Sequence, residues 1–465
     1  MTGGGPSRAA RVIEAALNRA AGGRPIPGNR VRLLVDGPET YDLMLDLITT
    51  AERWIHLENY IIRDDVTGWR FAEALASRAR TGLPVRVMYD RFGSIATGRK
   101  YWRFLRSAGV EVRGFNELHL LRIFANLTRN HRKLLVADGA RAVIGGQCIG
   151  DEWAGDPIKG IPQWRDTAVE VRGPAAAALD AAFAVTWALS GSPLAADEIA
   201  REAEPCGDAD IRVVVGEPGR ERAYRALEYL TAGSIDRLWI TDAYLVPPPR
   251  LFQALLDAAR DGADIRLLVP GTSDVPLVRN ITRTGYRRLL RAGIRIFEWD
   301  GPMLHAKTLV SDGRWSRIGT SNLNASSLLG NYELDVLIED EDLARDMDMQ
   351  FRRDMESSLE VRRRLYPAPK PLQPMLPSVL ARQPSTRPGG RVRGRREFRG
   401  RAAVATRTLI SAARRSIYVP ASVALVILGL LFLGLPSATA YAFGAVCVWL
   451  ALAAGWEAFA RQRDG

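Results

Sequence analysis

The sequence predicts an α/β protein made of two tandem halves of similar structure, followed by a helical hairpin that crosses a membrane. Three observations support this prediction. Apolar strands alternate with helices through the first 365 residues, segments of the first half recur in the second, and two uncharged apolar stretches lie near the C-terminus. Such alternation is typical of α/β units around a mixed or largely parallel sheet.

The internal repeat is visible before any motif is considered. Its three segment pairs are RWIHLENYII and RLWITDAYLV (53–62 and 237–246), TGLPVRVMYD and DGADIRLLVP (81–90 and 261–270), and SAGVEVRGFN and RAGIRIFEWD (107–116 and 291–300). In the first pair Tyr60 matches Tyr244. Each of the later pairs reads as a helix end, a glycine stop and an apolar strand. Two such units place equivalent strand ends face to face, so we expect one site assembled from both halves.

Composition and charge narrow the class of protein. The chain has 465 residues, 47% hydrophobic and 25% charged, which excludes a wholly disordered, collagen-like or fibrous protein. The net charge is +12, but residues 382–415 alone contain eleven arginines and one acid, Glu397, so the body is nearly neutral. Cys148, Cys206 and Cys447 provide neither a disulfide framework nor a zinc-type pair, which favours a reducing compartment.

The C-terminal region predicts a membrane anchor. Residues 418–435 and 438–456 carry no charge and approach the length of about 20 residues that a bilayer span needs. A Gly-Leu-Pro-Ser break separates them, which indicates a hairpin with both ends on one side. The arginine-rich flank marks that side as cytoplasmic, and seven prolines in residues 366–390 predict an extended spacer. The alternative is a buried hydrophobic hairpin of a soluble domain.

The predicted organisation therefore has six parts. They are an N-terminal segment (1–27), a first half (28–205), a second half (206–365), a Pro/Arg-rich linker and basic juxtamembrane segment (366–416), a transmembrane hairpin (417–457) and a cytoplasmic tail (458–465). The N-terminal segment has no apolar core of a secretory signal, and Arg8–Ala21 is expected to form a short surface helix.

The chemistry-bearing residues fall into one frame that occurs twice. In each copy a histidine is followed two positions later by a lysine, five positions further by an aspartate, and then by small residues. The copies are His131, Lys133, Asp138, Gly145 and Gly146, and His305, Lys307, Asp312, Gly319, Ser321 and Asn322. Two imidazoles and two ammonium groups that converge on one spot suit phosphoryl chemistry, which needs a nucleophile, a general acid and cations for the phosphate oxygens. An isolated pair of this kind would more often face solvent, but the repeated spacing argues against that.

With this frame, the sequence resembles the phospholipase D superfamily, whose signature His-x-Lys-x4-Asp-x6-Gly-Ser/Gly-x-Asn occurs twice per chain. More narrowly it is similar to the bacterial cardiolipin synthases. The segments that carry this likeness are residues 28–48, NHRKLLVADGARAVIGGQCIGDEW (130–153), WRDTAVEVRGP (164–174) and GTSNLNASSLLGNYELDV (319–336). The resemblance implies two α/β/α/β/α halves around a central cleft, no metal or other cofactor, and a covalent phosphohistidine intermediate.

The resemblance also implies roles for individual residues. His131 is expected to be the nucleophile and His305 the general acid, with the reverse assignment open. Lys133, Lys307, Asn322 and Ser321 are expected to hold the phosphate oxygens, Gly146 to let the backbone approach the phosphate, and Asp166 and Glu333 to orient the histidines. Asp138 and Asp312 belong to the catalytic motif, but a role in organising the following turn is equally open.

The sequence departs from the family pattern at two positions. Cys148 stands where the first motif should end in asparagine, and a thiol is a weaker donor than an amide, so Gln147 is a possible substitute. Ala168 replaces a histidine common in cardiolipin synthases. The remaining histidines, His56 and His119, are interpreted as incidental.

The leading expectation for function is a phosphatidyltransferase that forms cardiolipin from two molecules of phosphatidylglycerol, with release of glycerol, at the cytoplasmic face of a bacterial inner membrane. Its partners would be this anionic phospholipid and the membrane, with no nucleic acid. A phospholipase D-type hydrolase or headgroup-exchange enzyme is the first alternative. A nuclease fits the nearly neutral body poorly, and an inactive membrane scaffold is the last alternative.

Overall fold

The computed structural model describes residues 8–116, 128–362 and Trp449. The helices are α1 Arg8–Ala21, α2 Asp36–Thr50, α3 Val66–Arg80, α4 Arg99–Ser107, α5 Asp151–Ala154, α6 Pro174–Ala188, α7 Arg222–Gly233, α8 Pro249–Arg260, α9 Pro276–Arg291 and α10 Glu341–Glu356. The strands are β1 Ile26–Val35, β2 Ile55–Asn59, β3 Val85–Asp90, β4 Glu111–Phe115, β5 Lys133–Ala137, β6 Arg141–Gly145, β7 Thr167–Arg172, β8 Ala209–Gly216, β9 Arg237–Asp242, β10 Asp264–Pro270, β11 Arg295–Trp299, β12 Lys307–Ser311, β13 Trp315–Gly319, β14 Glu333–Glu339 and β15 Ser358–Glu360.

The described strands form one mixed sheet in which the two halves repeat the same strand order. The first half runs β1-β7-β6-β5-β2-β3-β4, and the second runs β8-β14-β13-β12-β9-β10-β11 with β15 added at its edge. Strands β2, β3 and β4 are parallel, as are β9, β10 and β11, and the other neighbours are antiparallel. The prediction of two tandem α/β halves is therefore confirmed.

The two halves share one hydrophobic core and each has a second core of its own. The shared core places α6 and α10 against strands of both halves, with Phe183 and Trp187 from one helix and Met347 and Phe351 from the other. The outer face of the first half is covered by α2, α3 and α4, and that of the second half by α7, α8 and α9. Strands that are buried on both faces tend to be rich in apolar residues, which explains why most strand segments are readable in the sequence.

The halves are also joined through the backbone. Strands β1 and β8 pair antiparallel and connect the two sheet sections. The N-terminal helix α1 packs against α7 of the second half, and Leu17, Ala20 and Ala21 are buried in that contact. The expected short helix at Arg8–Ala21 is present, and it packs one side against the body.

The predicted C-terminal anchor lies outside the described residues. The segments 366–416, 417–457 and 458–465 fall there, apart from Trp449, as does His119. Within residues 8–116 and 128–362, no helix combines the length and the hydropathy needed for a bilayer crossing.

Candidate active site

Both motif histidines lie immediately before a central strand and are fixed by the opposite half. Strands β5 and β12 begin at Lys133 and Lys307. The backbone N–H of His131 donates to the carbonyl oxygen of Tyr332 at 2.9 Å, and the N–H of His305 donates to the carbonyl oxygen of Arg165 at 2.7 Å. Each histidine therefore belongs to one half by sequence but takes its position from the other.

The side-chain contacts of the histidines cross between the halves in the same way. Nδ1 of His131 lies 3.0 Å from Oε2 of Glu333, and Nδ1 of His305 lies 2.8 Å from Oδ2 of Asp166. An ionised carboxylate only accepts hydrogen bonds, so each Nδ1 carries the proton and donates it to the contact. This fixes the tautomer and leaves Nε2 of each ring with its lone pair available.

Burial and neighbouring charges set the protonation of these pairs. Burial is the main cause that lowers the pKa of both His131 and His305 from the ordinary value, and the adjacent lysines lower it further. Burial alone would raise the pKa of Asp166 and Glu333, but the charge of the paired histidine and the hydrogen bond to it lower the pKa on balance. Around neutral pH the site therefore holds two carboxylates and two uncharged imidazoles.

The two motif lysines supply positive charge beneath the histidines. Nζ of Lys133 donates to the carbonyl oxygen of His131 at 2.6 Å, and Nζ of Lys307 donates to the carbonyl oxygen of His305. Burial, with the charge of Lys133, lowers the pKa of Lys307 to about 8, although Asp166 opposes this shift. With this pKa Lys307 remains mostly protonated near neutral pH, so it can present a positive charge to an incoming anion.

One cavity brings both histidines together. It has a volume of about 610 Å³, and His131, His305, Asn322 and Cys148 all line it. His131 and His305 are only 9% and 5% exposed, so both residues are largely shielded from solvent. Oδ1 of Asn322, which is an acceptor, is buried without a hydrogen-bond partner among the described residues. The group of this side chain that would donate to a phosphate oxygen is the Nδ2 amide.

The cysteine in place of the first-motif asparagine occupies the corresponding wall of the cavity. Burial raises the pKa of the Cys148 thiol, so it stays protonated. Gln147, the predicted substitute, does not line the cavity; its amide donates to Oγ1 of Thr40 at 3.3 Å. The first half therefore offers a thiol, not an amide, to a ligand at this position.

Two residues predicted to bind phosphate have a different role in the structure. A Cβ added to Gly146 would lie 2.1 Å from Oδ1 of Asp166, so this glycine makes room for the orienting carboxylate and not for substrate. Oγ of Ser321 donates to Oδ2 of Asp335 at 2.6 Å, and the residue is fully buried. Its hydroxyl proton is already used within the protein, so the prediction that Ser321 holds a phosphate oxygen is corrected.

The motif aspartates lie at the opposite ends of their strands from the histidines. The carboxylate of Asp138 accepts from the backbone N–H groups of residues 52–54, and that of Asp312 accepts from those of residues 235–237. Both aspartates have a positive φ, near 58° and 51°. The sequence left open whether these aspartates take part in catalysis or organise the turn after the motif. The contacts support the role in the turn, so the prediction that Asp138 and Asp312 are catalytic is corrected.

Several residues near the histidines were missed in the sequence analysis. The ring of Tyr60 contacts that of His131 at a centroid distance of 4.8 Å, and the ring of Tyr244 lies 6.1 Å from that of His305. The sequence contained a signal for these tyrosines, since they match each other in the internal repeat. Tyr60 comes directly after β2, and Tyr244 comes two residues after the equivalent strand β9. Trp153 and Trp164 flank His305, and Nε1 of Trp153 donates to Oδ2 of Asp166 at 3.1 Å.

The remaining described histidine, His56, forms a buried pair with an aspartate away from the cavity. Nδ1 of His56 lies 2.6 Å from Oδ1 of Asp180, and its ring stacks on Phe183 in the shared core. In the described parts of the chain, no group of three or more His, Cys, Asp or Glu side chains has an arrangement that could bind a metal ion.

Comparison with known proteins identifies relatives of this arrangement. A family profile described as "Cardiolipin synthase, PLD-like domain" matches residues 44–151 and 228–355, once in each half. A cardiolipin synthase 2 of Bacillus anthracis is 32% identical over 71% of this chain and 65% of its own length. A cardiolipin synthase A of Pseudomonas aeruginosa is 33% identical over 74% of this chain and 71% of its own length. The chain thus spans just under two thirds of the first of these relatives and slightly more of the second.

The fold also has counterparts among solved structures. A phosphatidylserine synthase from Haemophilus influenzae superposes with a TM-score of 0.60 at 13% identity, and the match covers 75% of this chain and 92% of that one. A polyphosphate kinase from Porphyromonas gingivalis reaches a TM-score of 0.50 at 16% identity over 72% of this chain. At these identities the likeness concerns the fold alone.

Proposed function

Because the chain belongs to the cardiolipin synthase family of phospholipase D-like proteins, we propose that it forms cardiolipin from two molecules of phosphatidylglycerol and releases glycerol. The observation that carries the proposal is the pair of histidines in one cavity, each oriented by a carboxylate of the opposite half. One phosphodiester between the two Nε2 atoms meets a nucleophile on one side and a proton donor on the other, which is what a two-step phosphatidyl transfer requires.

In the first step His131 acts as the nucleophile. Its Nε2 attacks the phosphorus atom of phosphatidylglycerol, a P–N bond forms, and the P–O bond to the terminal glycerol breaks. The anionic phosphodiester raises the pKa of His305 above its lowered value in the ligand-free protein, because the negative charge stabilises the imidazolium, so Nε2 takes up a proton from solvent when the substrate binds. His305 gives this proton to the departing alkoxide, so glycerol leaves as a neutral alcohol.

The second step reverses the proton transfer. A second phosphatidylglycerol enters the space that glycerol left, and its free terminal hydroxyl gives its proton to His305. The oxygen then attacks the phosphorus atom, the P–N bond breaks, and cardiolipin is released. Lys133, Lys307 and Asn322 hold the non-bridging oxygens, and their charge and amide dipole stabilise the crowded transition state.

The experiment that tests this function uses the full-length protein in membranes that contain phosphatidylglycerol. We expect cardiolipin and glycerol in equal amounts, and no product with either His131→Ala or His305→Ala. Phosphatidic acid without cardiolipin would indicate a hydrolase, and lipid that remains unchanged would refute both enzymatic functions. Circular dichroism of the two variants at increasing temperature serves as the control that they fold.

We also propose that residues 417–457 anchor the chain in the bacterial inner membrane with the body on the cytoplasmic side. The two uncharged stretches and the preceding arginines support this orientation. The exposed thiol of Cys206 on the body provides the test. A membrane-impermeant maleimide should label it in inverted vesicles and not in intact spheroplasts. Cys206→Ser measures the background, and labelling of spheroplasts above that background would place the body outside.

A further inference from the structure

A second cavity opens beside the candidate active site, between α8 and α9. It has a volume of about 480 Å³ and is lined mainly by apolar side chains. The residues used below are Leu245, Phe252, Ile281, Gly285 and Leu289. We call this cavity the α8–α9 groove.

The groove adjoins the catalytic cavity, because Val246 and Ile281 line both spaces. Leu245 and Leu289 form a buried apolar floor. The guanidinium of Arg288 lies 4.8 Å from the centre of the Phe252 ring, so its charge stays at the rim, where water or a lipid headgroup can reach it.

The first turns of α9 extend this apolar surface outward. Val275, which directly precedes α9, and Leu277 and Ile281 within α9 are 39%, 69% and 43% exposed, which is unusual for three large apolar residues so close along the chain. In the first half the corresponding helix α4 borders a cavity of another kind, lined by Arg91, Arg99, Arg103 and Arg106 and sharing none of the residues that line the catalytic cavity. The described halves therefore have similar surroundings of the histidines, but the adjacent cavity is mainly apolar in the second half and lined by arginines in the first.

We propose that the α8–α9 groove binds one acyl chain of the phospholipid whose phosphate lies between His131 and His305. This inference rests on the proposed function and adds a lipid-chain subsite to it. A phosphodiester held between the two histidines leaves its acyl chains to be accommodated nearby. The groove is the apolar space that adjoins the cavity, and chain burial there is favoured for the same reason as side-chain burial in a core.

Gly285 allows the groove to be filled without disturbing the fold. A Cβ at this position would have one neighbour, a side-chain atom of Phe252 at 3.6 Å, which is an ordinary contact distance. Gly285 lies inside α9, and leucine is a far better helix former than glycine. Gly285→Leu should therefore fold normally and occupy the space of the acyl chain.

The kinetic test compares two phosphatidylglycerols in detergent micelles, one with long oleoyl chains and one with short hexanoyl chains. For Gly285→Leu we expect the ratio of kcat/KM for the long-chain over the short-chain lipid to fall about tenfold or more, because several methylene groups lose their apolar site. Asn280→Leu is the matched control: Asn280 is exposed on the same helix and lines neither cavity, so it should keep the wild-type ratio. A Gly285→Leu ratio within about twofold of wild type, whether or not the overall rate falls, would overturn the proposal.

A cross-linking measurement separates this proposal from the proposed function, since it needs no turnover. The probe is a phosphatidylglycerol with a photoactivatable diazirine at the end of one acyl chain, added to the full-length protein. We expect cross-links within α8 and α9, and fewer of them in Gly285→Leu. Cross-links confined to other segments would reject the groove even if cardiolipin is made, and cross-links in the groove would support it even if the product is another phospholipid.

Discussion

Nδ1 of His305 lies 2.8 Å from Oδ2 of Asp166, although these residues belong to different halves of the chain. The same exchange joins His131 to Glu333 at 3.0 Å. Because each half contributes the carboxylate that orients the other half's histidine, neither half contains a complete site. The duplication in the sequence is thus not two sites side by side but one site that requires both copies.

The pairs His305–Asp166 and His131–Glu333 lead to the first prediction. Replacement of either carboxylate should impair catalysis, although the carboxylate itself does not react with the substrate. Asp166→Asn and Glu333→Gln keep the side-chain shape but can present an amide N–H to Nδ1, which favours the wrong tautomer. We expect kcat to fall roughly 10²- to 10⁴-fold in each. The rate of cardiolipin formation at saturating lipid measures this effect. A merely structural role would instead lower thermal stability and leave the kcat of the folded fraction near that of wild type.

The asymmetry between Asn322 and Cys148 leads to a second prediction. Asn322 lines the cavity, and its Nδ2 amide group can donate to a phosphate oxygen, whereas the Cys148 thiol is a weak donor. Asn322→Ala should therefore lower kcat by about 10²- to 10³-fold, as expected for loss of one donor to a transition-state oxygen. Cys148→Ala should change it by less than about fivefold. Equal losses in the two variants would mean that the thiol contributes as much as the amide.

The lowered pKa of His305 in the folded state predicts a pH dependence of stability. As pH falls below the ordinary histidine value of about 6.5, the unfolded chain binds a proton that the folded site resists, so the free energy of unfolding decreases. His305→Gln keeps an N–H for Asp166 but cannot titrate. Between pH 7 and pH 5 the wild type should lose more stability than this variant, by on the order of 1–2 kcal/mol. Urea denaturation at the two pH values measures the difference; an equal or larger loss in the variant would contradict the assignment.

Asp138 and Asp312 are predicted to affect folding and not chemistry. Each carboxylate accepts hydrogen bonds from three backbone N–H groups of the residues that lead into the neighbouring strand. Each aspartate also has a positive φ, which alanine tolerates poorly. Asp138→Ala and Asp312→Ala should therefore destabilise the protein by about 2–3 kcal/mol each. The kcat of the folded fraction should stay within about twofold of wild type, since neither carboxylate reaches the cavity. Thermal melts and active-site-normalised rates together separate the two effects.

The sequence was sufficient for the fold and for the histidines because both are encoded in repeated local patterns. Strand segments such as 53–62 and 237–246 are rich in apolar residues and recur between the halves, and the histidine-lysine spacing recurs without change. The glycine and serine assignments failed for a different reason. Whether Gly146 admits a phosphate or the Asp166 carboxylate depends on how two distant strands pack, and Ser321 was assigned without knowledge of its partner Asp335. Packing of this kind leaves no periodic signal in the sequence.

The last prediction concerns which histidine forms the covalent bond. A phosphatidyl ester of para-nitrophenol has a leaving group that departs without a proton, so it needs the nucleophile but not the general acid. With this substrate His305→Ala should still release a burst of nitrophenolate close to one equivalent per site and retain lipid on the protein, whereas His131→Ala should release none. Both variants should be inactive on phosphatidylglycerol. A burst from His131→Ala and not from His305→Ala would mean that His305 is the nucleophile. The roles of Glu333 and Asp166 would then be exchanged as well, because each carboxylate supports the imidazolium of only one histidine.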